Sequence, residues 1–285
     1  MEIQAVGVLG AGTMGAGIAQ VCAQVGCDVA LFDVSLDLAG KGLARVEKFL
    51  QKGVDRGKVE PADMAATLGR IRAVDDLAAA AAGAALVVEA APENLDLKRG
   101  IFTQLAELAG DDCILATNTS SLPISQVAAN NSAAARIIGM HFFNPVPLMK
   151  LLEIVVGEAT APATVEATLA FGKRLGKEVI SVKDAPGFAS SRLGICIAME
   201  AIRMVEQDVA SPEDIDRAMV FGYGHPMGPL RLTDLVGCDV RMAIAEHLAE
   251  ALDAPHFEPP ALLRRMVEEG RLGKKSGRGF YEWQE

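Results

Sequence analysis

The sequence predicts an α/β chain, with an N-terminal doubly wound parallel sheet over residues 1–184 and a smaller all-α C-terminal domain over residues 185–285. Three observations carry this expectation. Short β-rich runs alternate with longer helical stretches as far as Asp184, a glycine-rich turn follows the first run directly, and the strand runs stop after Ala185-Pro186-Gly187. The length of 285 residues matches about two domains and allows a real core.

Strands are expected over 5–9, 29–32, 71–74, 85–89, 113–116, 136–141, 151–156 and 179–182. Continuous apolar runs such as Ala85-Leu86-Val87-Val88 suit strands covered by helices on both faces, and their short length and flanking glycines favour strand over buried helix. Beyond residue 187 helical signals dominate. A first helix over 188–206 is too apolar to face water all round, so it is expected to pack centrally or in a subunit interface. Ser211 followed by Pro212 reads as an N-cap with an N1 proline, and 260–269 reads as a helix closed by Gly270.

Composition narrows the function classes. Hydrophobic residues make up 51% and charged residues 22%, which excludes a disordered chain. The net charge of −10 disfavours a polyanion, so no nucleic-acid partner is expected. Five cysteines without a C-x-x-C pair suggest reduced thiols and no metal site. The uncharged stretch from Ile3 to Cys27 contains six glycines and three glutamines, and the first basic residue is Lys41. Neither a membrane span nor a targeting segment is therefore expected, and the protein reads as cytoplasmic.

After the first strand stands Gly10-Ala11-Gly12-Thr13-Met14-Gly15, a G-x-G-x-x-G turn opening a helix. Gly10 permits the tight turn, Gly12 admits a pyrophosphate to the backbone, and Gly15 lets helix approach strand, so that Thr13 and Met14 present N–H groups to the anion. This makes the N-terminal domain Rossmann-like. Asp33 closes the second strand 18 residues after Gly15, where a carboxylate accepts from ribose hydroxyls and repels a 2′-phosphate. NAD is thus the expected cofactor, with FAD as the other dinucleotide.

His141 ends one strand candidate and Glu153 lies twelve residues on, in the next; a reversal near Pro147 would bring them side by side. A carboxylate fixes the tautomer of an imidazole and favours its protonated form, which suits removal of a hydroxyl proton during alcohol oxidation. Asn118-Thr119-Ser120-Ser121 follows the strand at 113–116, at the sheet edge where ligands collect, and also reads as a helix N-cap cluster. Glu93 and Lys98 follow another strand in the same way. Lys41, Arg45, Lys48, Lys52 and Arg56 are spaced 4, 3, 4 and 4 apart, which aligns them on one helix face. That stripe is a local basic patch able to hold a phosphorylated ligand, or simply a solvated face.

Taken together, these segments resemble the 3-hydroxyacyl-CoA dehydrogenase family over nearly the whole chain, and most closely its short-chain, monofunctional 3-hydroxybutyryl-CoA members. The resemblance rests on the glycine turn, on Glu89-Ala90-Ala91-Pro92-Glu93-Asn94 with Lys98, and on Thr117-Asn118-Thr119-Ser120-Ser121-Leu122. Its most specific part is Gly139-Met140-His141-Phe142-Phe143-Asn144-Pro145-Val146-Pro147 with Glu153. Asp184-Ala185-Pro186-Gly187-Phe188, His225-Pro226-Met227-Gly228-Pro229 and Gly277-Arg278-Gly279-Phe280-Tyr281 extend it to the end.

The resemblance implies that His141 is the general base, Glu153 its orienting partner, and Ser120 the group that binds the substrate 3-oxygen, with Asn144 completing the site. It implies NAD contacts at Asp33, Glu93 and Lys98, joined by Asn118, Ser120 and Asn144. It also places Lys52 and Arg56 against the nucleotide of an acyl-CoA substrate. The apolar first helix of the second domain, by its composition, makes a symmetric oligomer the expectation, a homodimer through the helical domain. The family commonly reads Gly-Phe-x-x-Asn-Arg where this chain has Gly187-Phe188-Ala189-Ser190-Ser191-Arg192, so Ser191 takes the place of an active-site asparagine. A free hydroxy-acid dehydrogenase of gulonate type and a non-catalytic NAD-binding protein are the alternative readings.

Overall fold

The computed structural model describes residues 2–283. They form two compact units that divide between Ala185 and Pro186.

The first unit is an eight-stranded sheet. In chain order it comprises β1 (Ala5–Leu9), α1 (Thr13–Gln24), β2 (Asp28–Phe32), α2 (Leu36–Asp55), α3 (Pro61–Gly69), β3 (Ile71–Val74), α4 (Leu77–Ala81), β4 (Leu86–Glu89), α5 (Leu95–Leu108), β5 (Ile114–Thr117), α6 (Ile124–Val127), β6 (Ile137–Phe142), β7 (Leu151–Val156), α7 (Pro162–Arg174) and β8 (Glu178–Lys183). The strand order is β3-β2-β1-β4-β5-β6-β7-β8. Strands β1 to β6 pair in parallel, β7 turns back antiparallel to β6, and β8 pairs in parallel with β7. Chain order reverses between β1 and β4, which opens the crevice where ligands of doubly wound sheets bind.

Burial follows from sequence pattern. All residues of β4, β5 and β6 are buried, as strands covered on both faces require. The core runs through Val6, Val8, Ile18, Leu31, Leu86, Val88, Ala116, Ile138, Leu152 and Ile154. Helices begin where short polar side chains cap them: Ser35 accepts from the Leu38 N–H, and Asn94 accepts from the Leu97 N–H at 2.9 Å.

The second unit comprises α8 (Ser190–Glu206), α9 (Pro212–Arg217), α10 (Pro229–Val236), α11 (Cys238–Leu252) and α12 (Ala261–Glu268) around a core that includes Ile195, Met199, Ile202, Leu230, Leu248 and Leu263. Ser211 caps α9 with Pro212 at its start, and Gly270, at φ +73°, follows α12. Helix α8 starts two residues later than expected, because Gly187 and Phe188 hold positive φ angles of 74° and 48°. Its Ile195, Ala198, Met199, Ala201 and Ile202 face the core, and Leu193 is 65% exposed.

Of the five free cysteines, only Cys196 is exposed. Burial pushes the Cys113 thiol up to about 11 and that of Cys238, aided by Asp234, up to about 12. Among the described residues no helix is long and apolar enough to cross a membrane, and no cluster of three His, Cys, Asp or Glu side chains could hold a metal.

Candidate active site

The glycine turn joins β1 to α1 at the crevice. Gly10 holds φ +94°, and a Cβ there would approach the Ala90 carbonyl oxygen to 2.7 Å, so the turn tolerates no side chain. A Cβ on Gly12 would meet nothing within 4 Å, which leaves open space over the backbone. No side chain caps α1 at Gly12, so the N–H groups of its first turn, at Thr13, Met14 and Gly15, can serve an outside anion. Asp33 directly follows β2, beside this turn: its Oδ2 accepts from the Ala11 N–H at 2.9 Å and its Oδ1 from the Val34 N–H at 2.8 Å. The carboxylate thereby braces the turn and retains further lone pairs for hydroxyl donors. Open backbone, uncapped helix and adjacent carboxylate fit a dinucleotide.

His141 and Glu153 are built by the β6–β7 reversal. They are register partners, with His141 Nδ1 2.8 Å from Glu153 Oε2. The glutamate is fully buried and the histidine nearly so. The Phe143 ring stacks at a tilt against the imidazole, with centroids 4.4 Å apart. A cis peptide joins Asn144 to Pro145, and Asn144 is exposed. The loop that follows is held by Lys177, whose ammonium donates to the carbonyls of Val146 at 2.6 Å and Met149 at 2.8 Å. Burial holds the Lys177 amine below the usual lysine range.

The turn after β5 lies beside this pair. Asn118 Oδ1 accepts from the Phe142 N–H at 2.9 Å, tying the end of β5 to the end of β6. Glu93 then organises the rest. Its Oε1 accepts from the Thr119 hydroxyl, the Ser120 N–H at 3.1 Å, the Ser121 N–H at 3.2 Å and the Ser121 hydroxyl at 3.0 Å. Burial alone would raise the Glu93 carboxyl, but the Thr119 hydroxyl, the Lys98 ammonium and the Ser121 and Ser120 donors overcome it and hold the group below its ordinary range. Thr119 and Ser121 are thus occupied within the turn, and Pro123, not this cluster, stands at the N-cap of α6. The Ser120 side chain is exposed. Asp184 caps α6 from a distance, its two oxygens accepting from the Ile124 and Ser125 N–H groups at 2.9 and 2.7 Å.

Lys98 is 1% exposed and its ammonium is turned inward, to both oxygens of Glu89 and towards Glu93. Glu89 and Thr117, which donates to Glu89 at 2.7 Å, belong to the segments that carry the resemblance but have no site role in the reading of the sequence; the available signal was a carboxylate closing an otherwise apolar strand. Lys177 escaped that reading.

The basic stripe is only partly a stripe. Lys41 pairs with Asp37 at 2.6 Å, and Arg45 donates to the Ala11 carbonyl at 3.0 Å, so these two serve the helix and the glycine turn. Lys52 lies in the last turn of α2 and Arg56 at its C-cap; both are exposed, and neither forms an ion pair among the described residues. An apolar groove lined by Thr13, Gly17, Phe49, Asn144 and Pro147 runs between α1, α2 and the cis-proline loop. Ser191 lies in the first turn of α8, in the second unit.

Residues 5–185 match the family model described as 3-hydroxyacyl-CoA dehydrogenase, NAD binding domain, and residues 187–283 match the model of the C-terminal domain of the same enzymes. The chain is 45% identical over 283 residues to a 3-hydroxybutyryl-CoA dehydrogenase of Mycobacterium tuberculosis, covering 99% of each chain. It is 42% identical over 285 residues to a probable 3-hydroxybutyryl-CoA dehydrogenase of Bacillus subtilis, covering 100% of this chain and 99% of the other. Among solved structures, it resembles an (S)-3-hydroxybutyryl-CoA dehydrogenase from Ralstonia eutropha with a TM-score of 0.95 and 43% identity, over 100% of both chains.

Proposed function

The chain belongs to the 3-hydroxyacyl-CoA dehydrogenase family and is an NAD-dependent oxidoreductase, and from that premise we propose that it interconverts short (S)-3-hydroxyacyl-CoA thioesters, such as 3-hydroxybutyryl-CoA, and their 3-keto forms. The observation that carries this reading is the buried His141–Glu153 pair near the carboxyl end of β6, the same end of the sheet that bears the glycine turn after β1 and Ser120 after β5.

NAD, when bound, supplies the hydride acceptor. Gly10, Gly12, Thr13, Met14 and Gly15 hold its pyrophosphate, and Asp33 takes the adenosine ribose. Glu93 takes the nicotinamide ribose, with Lys98 behind it, and Asn118, Ser120 and Asn144 line the same end. His141, with Nδ1–H donating to Glu153, takes the substrate hydroxyl proton at Nε2, and Glu153 stabilises the resulting imidazolium. The Ser120 hydroxyl donates to the 3-oxygen and so opposes the charge that develops as the proton leaves. Ser191 supplies a shorter donor than an asparagine at its position.

The acyl-CoA lies with its pantetheine arm along the apolar groove and its phosphates near Lys52 and Arg56. The second unit forms a homodimer through faces that expose Leu193, Ile197, Leu232, Leu235 and Val240. A cytoplasmic location is consistent with this substrate class.

The test is NADH formation, followed by absorbance, on 3-hydroxybutyryl-CoA, longer 3-hydroxyacyl-CoA thioesters and free hydroxy acids, with NADP in parallel. Turnover confined to thioesters with NAD supports the proposal. Preference for a free hydroxy acid contradicts the substrate assignment, and absence of turnover on every substrate contradicts the reaction.

A further inference from the structure

Three charged side chains are stacked at the carboxyl ends of β4 and β5. Glu89, fully buried, accepts from the Ala91 N–H at 2.6 Å, the Lys98 ammonium at 2.7 and 2.9 Å and the Thr117 hydroxyl at 2.7 Å. Lys98 is committed to Glu89 and reaches Glu93 Oε2 only at 3.4 Å. Glu93, with 36% of its side chain exposed, is the outermost member. Two carboxylates therefore share one ammonium, and the unequal distances leave the surplus negative charge on Glu93.

A buried ion pair is a poor device for stability, since desolvation offsets most of its attraction. The second carboxylate acts differently: it keeps Lys98 from closing on Glu93 and neutralising it. In the strand order, β4 and β5 lie on the opposite side of β1 from β2, which carries Asp33 to the adenosine half. They face the nicotinamide half of the crevice. The oxidised nicotinamide ring is a cation and the reduced ring is neutral, so a fixed negative charge beside it distinguishes the two forms.

We infer that Glu89 is a positioning residue that, by retaining Lys98, leaves the negative charge of Glu93 uncompensated beside the nicotinamide and so biases the site towards the oxidised cofactor. This rests on the assignment of Glu93 to the nicotinamide ribose made above.

The experiment measures the Kd of NAD+ and of NADH separately, by calorimetry at fixed ionic strength and without thioester, for the wild-type protein, Glu89→Gln and the double variant Glu89→Gln/Lys98→Met. In Glu89→Gln the freed ammonium moves onto Glu93, and NAD+ should weaken about tenfold more than NADH. The double variant restores the net charge, and its ratio of the two constants should return to within about twofold of wild type. Equal weakening of both forms, or a ratio that the double variant does not restore, overturns the inference, because a merely structural role predicts the former. If Glu89→Gln does not fold, Lys98→Met carries the test: its preference for NAD+ must not fall below that of wild type, and a fall overturns the inference. Failure of the dehydrogenase reading is seen separately, as a wild-type protein that binds NAD+ but oxidises no thioester.

Discussion

His141 and Glu153 face each other directly across the antiparallel β6–β7 pair, joined at 2.8 Å. Because side chains alternate along a strand, a slip of one residue in this register would carry Glu153 to the other face of the sheet. The pair therefore depends on the loop between the strands as much as on the two residues.

Glu153→Gln keeps an oxygen opposite the imidazole and removes the charge that balances the imidazolium. Turnover of the thioester should fall on the order of 10²-fold or more, with KM changed by less than about threefold. Steady-state kinetics on the purified variant decides it, and a KM effect without a kcat effect would assign Glu153 to binding instead.

The loop itself should answer to Lys177. Replacing it with Met leaves the Val146 and Met149 carbonyls without their buried donor, at a cost of about 1–3 kcal/mol. Chemical denaturation should show that loss together with reduced turnover, since Asn144 and the His141 strand end move with the loop. Unchanged stability would mean that water replaces the ammonium.

Glu93 makes stability depend on acid. Its folded carboxyl lies below the ordinary value of 4.5, so its contribution is complete above that value and is lost as pH falls through the lower, folded one. The difference in unfolding midpoint between wild type and Glu93→Gln should be constant from neutral pH down to the ordinary carboxylate range and shrink below it. A difference that persists undiminished in stronger acid would contradict the hydrogen-bonded turn described for residues 119–121.

Lys52 and Arg56 should matter only to a substrate that carries nucleotide phosphates. The double variant Lys52→Ala/Arg56→Ala should raise KM for 3-hydroxybutyryl-CoA several-fold at low salt and less at high salt, with kcat unchanged. The same KM at every ionic strength would remove them from the binding path.

Much of this could be read from residue order. The eight strands lie within a residue or so of their expected limits; the central ones, β4, β5 and β6, are buried throughout and are written as short, largely apolar runs. The reversal that joins His141 to Glu153 followed from two strand runs and the prolines between them. The Glu89–Lys98 pair did not, because its members lie on a strand and a helix whose packing no local pattern encodes. The same holds for Lys177, which crosses from the start of β8 to a loop 31 residues earlier. Arg45 fits the helical stripe by spacing alone, yet its neighbour in space is the glycine turn. The late start of α8 turned on Phe188 at positive φ, a conformation that a bulky residue rarely adopts and sequence does not announce.

The central claim is that His141 takes the hydroxyl proton. It is tested most directly by measuring, on one preparation of His141→Ala, both the rate of 3-hydroxybutyryl-CoA oxidation and the Kd of NAD. Oxidation should fall by about 10² to 10⁴ while NAD binds as in the wild type. Oxidation at the wild-type rate would contradict the claim outright.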